Sequence, residues 1–194
     1  VPADFSEDQF FPLTFKAAVA GTTTLPADEV SATINGVSVT TRTPITLGYR
    51  QISTVAAVSK SGATLTYRSL APACALNGLQ ITPLSGTGEC AIAVTSAGNS
   101  TASPITVILP IRLTLGVQSL GGFTLPETAK AFSKSALPSV SNFGEKVKYK
   151  ATGACSVVRS ELTVRRGKCE ISASALGKKA LYEGLNQKLV ITGK

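Results

Sequence analysis

The chain has 194 residues, is 43% hydrophobic and 15% charged, and carries a formal net charge of +8. That is too apolar for a disordered chain and poorer in charge than the roughly 25% of an ordinary soluble domain, and the length suits one large domain or two modules of roughly 80–110 residues. There is no Met and no His, which removes the commonest general base, the commonest metal ligand and every Ser-His or Cys-His nucleophile.

In chain order, residues 1–14 read as an amino-terminal arm. The sequence starts at Val1 rather than Met, so a processed, exported form is expected. Val1 to Leu13 holds Asp4, Glu7 and Asp8 with no basic residue, beside Phe5, Phe10 and Phe11. Burying a Phe fully is worth ~1.5–3 kcal/mol. The arm is therefore expected to dock, either on its own module or on a neighbouring subunit as an assembly arm.

Residues 15–112 read as a first module and 113–194 as a second. Apolar alternation recurs at Val37-x-Val39, Leu65-x-Tyr67, Ala91–Val94, Ile105-x-Val107, Val147-x-Tyr149 and Leu189–Ile191. Turn residues punctuate it at Lys60-Ser-Gly62, Asn77-Gly78, Ser85–Gly88, Gly98-Asn99 and Arg166-Gly167. Short strands between regular turns predict an all-β sandwich architecture, with helix limited to one turn near Pro126–Lys130. The longest apolar stretch, Pro104 to Ile111, is far short of the ~20 residues of a spanning helix. No membrane insertion is expected.

The two modules are related by an internal repeat. Tyr67, Cys74, the alternating Leu79-Gln-Ile-Thr and Gly88-Glu-Cys90-Ala-Ile92 line up with Tyr149, Cys155, Glu161-Leu-Thr-Val and Gly167-Lys-Cys169-Glu-Ile171. Each copy then places a Gly eight residues after its second Cys, at Gly98 and Gly177. Thr24-Leu-Pro26 also resembles Thr124-Leu-Pro126, a displacement of 100 against 82 for the tyrosines, which implies about 18 extra residues in the first module. We place them near 34–49, as a hairpin around Asn35-Gly36. The alternative is that residues 15–45 are strands of a truncated extra module. The boundary is expected near Pro110–Gly116, short and apolar, so that the modules sit rigidly end to end.

Residues 1–112 hold six basic and six acidic groups, leaving thirteen and five in 113–194. The whole excess lies in the second module, where Lys146, Lys148, Lys150, Arg165, Arg166 and Lys168 form a candidate basic patch. Such asymmetry suggests an acidic partner.

The four Cys fall one pair per repeat. Zinc sites need closer Cys pairs or His partners, and no Cys-x-x-Cys is present for redox work. Two disulfides, Cys74–Cys90 and Cys155–Cys169, are expected, with the partners facing each other across adjacent strands.

The run Tyr67-Arg-Ser-Leu-Ala-Pro-Ala-Cys74-Ala-Leu-Asn-Gly78, then Gly88-Glu-Cys90-Ala-Ile92 and Ala97-Gly98-Asn99, resembles the bacterial Ig-like repeat. The second copy matches through Tyr149, Cys155, Gly167, Cys169, Ile171 and Gly177; it lacks the Pro before its first Cys, and Lys178 replaces the Asn. The resemblance covers roughly 65–112 and 147–194 and says nothing about 1–44. It implies two tandem immunoglobulin-like β-sandwiches and an extracellular structural or binding role, on a bacterial surface or a virion.

Other chemistry finds little footing. No carboxylate pair stands out for glycoside hydrolysis, Ser85-Gly-Thr-Gly88 lacks the Lys-Ser/Thr of a phosphate loop, and Asp28-Glu29 is a poor calcium site. Nucleic acid is disfavoured because aromatics do not interleave with the basic residues. The expectation is a non-enzymatic, secreted subunit without cofactor. Its partners would be copies of itself or other envelope or virion proteins, and as an adhesin or decoration module it would bind an acidic glycan or a host.

Overall fold

A computed structural model describes residues 24–194, and these residues are all β, with fourteen strands and no helix. In the first half, β1 (Val30–Ile34), β2 (Val37–Val39), β4 (Ser53–Ser59), β6 (Cys74–Asn77) and β7 (Gln80–Pro83) form a sheet of order β2-β1-β4-β7-β6. β3 (Ile45–Gly48), β5 (Leu65–Ser69), β8 (Glu89–Ser96) and β9 (Ile105–Thr114) form a second, of order β3-β9-β8-β5. Alternation turns one face of each sheet inward. Ile34, Val55 and Ile81 from the first meet Ile92, Val94, Leu109 and Ile111 from the second in one buried cluster.

In the second half, β10 (Thr128–Ala129), β11 (Lys134–Ala136), β12 (Lys148–Val158), β13 (Glu161–Ala175) and β14 (Leu185–Gly193) enclose a separate cluster that includes Leu162, Val164, Ile171 and Ile191. β13 pairs with β11 and the end of β12 through residues 161–164, then with β14 and the start of β12 through 167–175. Its burial alternation breaks at Arg165–Lys168, four consecutive exposed residues, where the strand turns from one layer into the other. β12 makes the matching switch at a bulge between Gly153 and Cys155. Gly153 holds a φ of +83°, and a Cβ there would collide with the Lys168 carbonyl. The bulge needs glycine.

The pairing registers repeat. Tyr67 faces Val94 and Tyr149 faces Ala173, each four residues beyond the second Cys. Cys74 faces Pro83 as Cys155 faces Val164, and Cys90 faces Ile111 as Cys169 faces Ile191. The parallel pairs β3–β9 and β10–β14 match as well, Thr46 with Arg112 and Thr128 with Thr192. Even an unusual conformation recurs: Arg50 and Phe132 both hold positive φ, 58° and 64°. A constant displacement of 82 thus runs from Pro44 and Pro126 through Tyr67 and Tyr149.

These pairings change three expectations. The extra hairpin is β1–β2 over residues 30–39, closed by Asn35 and Gly36 with φ of 51° and 78°, whereas β3, inside the expected 34–49 insertion, has β10 as its counterpart. The partner of Thr24–Pro26 is Thr114–Gly116 rather than Thr124–Pro126, because Ser103 N donates to Pro26 O as Glu183 N donates to Gly116 O. From Asp28 to Pro44 is sixteen positions and from Gln118 to Pro126 eight, so the first half is longer by eight, not 18. The stretch Pro126–Lys130 holds β10 rather than a helical turn. β9 continues to Thr114, within the stretch Pro110–Gly116 where the boundary is expected, and buries Leu113 in the first cluster.

The second half has no counterpart of β1 on the outer edge of its β11 segment. That edge is blunted instead: Pro138 has no N–H to offer, and its carbonyl accepts a 2.7 Å bond from the Tyr149 hydroxyl.

Candidate functional site

The basic residues of the second half do not form one patch. Lys148 and Lys150 on β12 alternate with inward-facing Val147, just before the strand, and Tyr149, and are exposed. Lys150 lies opposite Ser172 on β13, which lies opposite Lys188 on β14; Lys148, Ser174 and Asn186 form the neighbouring row. The outer face of this sheet therefore carries Lys148, Lys150 and Lys188 around two hydroxyls and an amide. Lys168 lies farther along the same face and bonds Glu170 at 2.7 Å. That ammonium, and Lys188 more weakly, hold the Glu170 carboxyl below its ordinary range. Lys146 precedes β12 in a turn, opposite Val140. Arg165 and Arg166 sit on the exposed bend of β13, at the far tip of the second half.

Sequence reading missed Lys188, because nothing in a lone Lys on β14 reveals its row. The same face of the first half makes the contrast plain. The counterparts of Lys148, Lys150, Lys168 and Lys188 are Thr66, Arg68, Glu89 and Ile108, placed by the repeated registers. Of the four basic positions on that face in the second half, one is basic in the first.

The halves meet in a packed junction. Tyr49 from the first half packs on Phe143 and Tyr182 of the second, with ring centroids 5.6 and 5.8 Å apart, and Phe143 stacks on Tyr182 at 4.6 Å. Arg50 lies over the Tyr49 ring at 5.3 Å. The Tyr182 hydroxyl donates to Glu145 Oε1 at 2.6 Å, and this bond together with burial pushes the phenol above its ordinary value. Gly86 N donates to Ala180 O at 2.8 Å and Gly116 N to Leu181 O at 2.9 Å. A Cβ on Gly116 would come within 2.6 Å of the Phe143 ring.

At the opposite pole of the first half, Asp28 is a buried carboxylate. Its Oδ2 accepts from Ser59 Oγ at 2.6 Å and Ser96 Oγ at 2.5 Å, and its Oδ1 from the backbone of Glu29 and Ser61. These bonds, Ser59 first, hold its carboxyl far below the usual carboxylate range despite burial. Every acceptor position is engaged within the fold, so Asp28 is a clasp and not an idle acid. Asn99 fastens the neighbouring loop in a similar way, donating to Ser61 O and accepting from Thr101 and Ala102.

Both expected disulfides form, Cys74–Cys90 and Cys155–Cys169. Cys155 and Cys169 lie on paired strands, as expected, but on opposite sides of the switch between layers, and Cys74 on β6 and Cys90 on β8 belong to different sheets, so each bond ties two layers together. Two disulfides place the chain outside the reducing cytosol. Among the described residues, no helix is long and apolar enough to cross a membrane, and no group of three or more His, Cys, Asp or Glu side chains could hold a metal ion. Phe5, Phe10 and Phe11 lie outside the described residues. Comparison with known protein families and with curated proteins finds no match.

Proposed function

We propose that the chain is a non-enzymatic extracellular structural subunit, a stiff pair of tandem immunoglobulin-like sandwiches that assembles on a bacterial surface or in a virion. The order β1-β4-β7-β6 opposite β5-β8-β9 fits the strand arrangement of that fold, and the repeated registers extend it to the second half. The observation that carries the structural role is the junction. Aromatic packing and backbone bonds, in place of a flexible linker, join the halves into one body with two different ends. Electron microscopy of the purified chain over a range of concentrations tests the assembly. Filaments, lattices or shells are expected; a uniform population of single particles would overturn it. Deleting residues 1–13 is expected to weaken assembly while leaving the melting temperature unchanged.

A second reading is favoured by the row Lys150–Ser172–Lys188. We infer that this face takes an acidic glycan, since ammonium groups and hydroxyls suit carboxylate- or sulfate-bearing sugars, and the face carries no aromatic ring for stacking bases. Replacing Lys148, Lys150 and Lys188 by Thr should abolish salt-sensitive retention on dextran sulfate, whereas replacing Lys130, Lys178 and Lys179, with the same loss of charge, should not. Equal losses would make the effect one of net charge alone. Tighter retention on single-stranded DNA would point to nucleic acid.

A further inference from the structure

The far tip of the second half corresponds, position by position, to the surface of the first half on which the second half docks. Ala131 N donates to Lys194 O there as Tyr49 N donates to Thr114 O at the junction, and Phe132 N donates to Val164 O as Arg50 N donates to Pro83 O. Where the first half has Gly48, Arg50, Thr114 and the Leu84–Thr87 stretch containing Gly86, the second has Lys130, Phe132, Lys194 and Arg165-Arg166. Phe132 is 74% exposed, in a left-handed conformation that a bulky residue adopts only against steric resistance. The tip presents an exposed ring on hydrogen-bonded stretches of chain that also carry Lys130, Lys194, Arg165 and Arg166.

The opposite pole of the chain offers the complement. A hollow there has Ala27, Glu29, Lys60, Ser61, Thr101 and Ala102 among the residues that line it. The second half has Phe143 in place of Ser61 and Tyr182 in place of Ala102, and those two rings are what fill the junction. The hollow exists because the first half lacks them.

Resting on the assembly reading above, we propose that copies of this chain associate head to tail, with Phe132 of one copy seated in the pole hollow of the next. Charge supports the same pairing. Glu29 stands at the rim, shared with Lys60 at 2.8 Å, and Lys130, Arg165, Arg166 and Lys194 on the tip of the preceding copy would approach it. Because the two surfaces differ, the contact does not close on itself as a symmetric dimer does; it runs on.

The test is sedimentation velocity on the whole chain over a range of concentrations, at low salt and at 1 M salt. The wild-type mass is expected to climb past a dimer, and to fall back at high salt, where the Debye length is about 3 Å. Phe132→Ser removes the ring and Thr101→Trp fills the hollow. Both sites are exposed, so folding should be retained, and each substitution should weaken association about tenfold or more. Mixing the two variants is decisive: the intact tip of Thr101→Trp can enter the intact hollow of Phe132→Ser, so the mixture should stop at a dimer. Wild-type polymers insensitive to both substitutions would overturn this contact and leave assembly standing. A wild-type monomer at every concentration would overturn both.

Discussion

Asp28 shows how one side chain can fasten a whole end of a module. Its four acceptor bonds draw together the approach to β1, the turn after β4 and the end of β8. Because its folded-state pKa lies below the unfolded value near 3.9, the clasp contributes its full stability above about pH 4 and loses it as pH falls below that. Asp28→Asn should lower the melting temperature at neutral pH, since an amide nitrogen cannot accept from a serine hydroxyl. It should also flatten the decline of melting temperature between pH 4 and 2, which calorimetry across that range would show. An equally steep decline in the variant would assign the acid sensitivity to other carboxylates.

Among the elements, the disulfides give the sharpest comparison. They close loops of 16 and 14 positions, so chain-entropy reasoning assigns each about 3 kcal/mol. Solvent access separates them. Cys74 and Cys90 are 3% and 4% exposed, whereas Cys155 is only part-buried. Mild reductant followed by alkylation should label Cys155 and Cys169 first, and denaturation in urea should show each Cys-to-Ala pair losing about 3 kcal/mol. Much at this scale was readable from sequence. The alternation at Val37, Leu65 and Ile105 marked strands, and the spacing of Tyr, Cys and Gly marked the repeat. What escaped depended on pairing. Thr24-Leu-Pro26 and Thr124-Leu-Pro126 share letters but not hydrogen bonds, and Arg166-Gly167 reads as a turn although β13 bends there without ending. Lys188 joins Lys150 only because both lie opposite Ser172, a relation that no local pattern encodes.

For the whole molecule, the junction decides how far the two halves act as one body. Tyr182 contributes two of its three aromatic contacts, each worth ~0.5–1.5 kcal/mol beyond buried area. Tyr182→Ala should therefore cost about 1–3 kcal/mol and let the halves move apart while each keeps its own core. Small-angle scattering should then report a broadened distribution of interatomic distances; an unchanged profile would mean that the remaining contacts, the Gly86–Ala180 backbone bond among them, hold the halves together.

The parallel pairing of β9 with β3, and of β14 with β10, has a mechanical consequence. When the chain is pulled from its two ends, parallel neighbours slide past each other and all their hydrogen bonds bear load together, instead of opening one at a time like a zipper. The bridges Ala27–Ser103 and Gly116–Tyr182 are parallel too, and carry force in the same sense. Should a half give way, its disulfide withholds the residues between its cysteines from stretching, each of which would otherwise lengthen the chain by about 3.3–3.6 Å. Both halves therefore resist extension through the same kind of pairing.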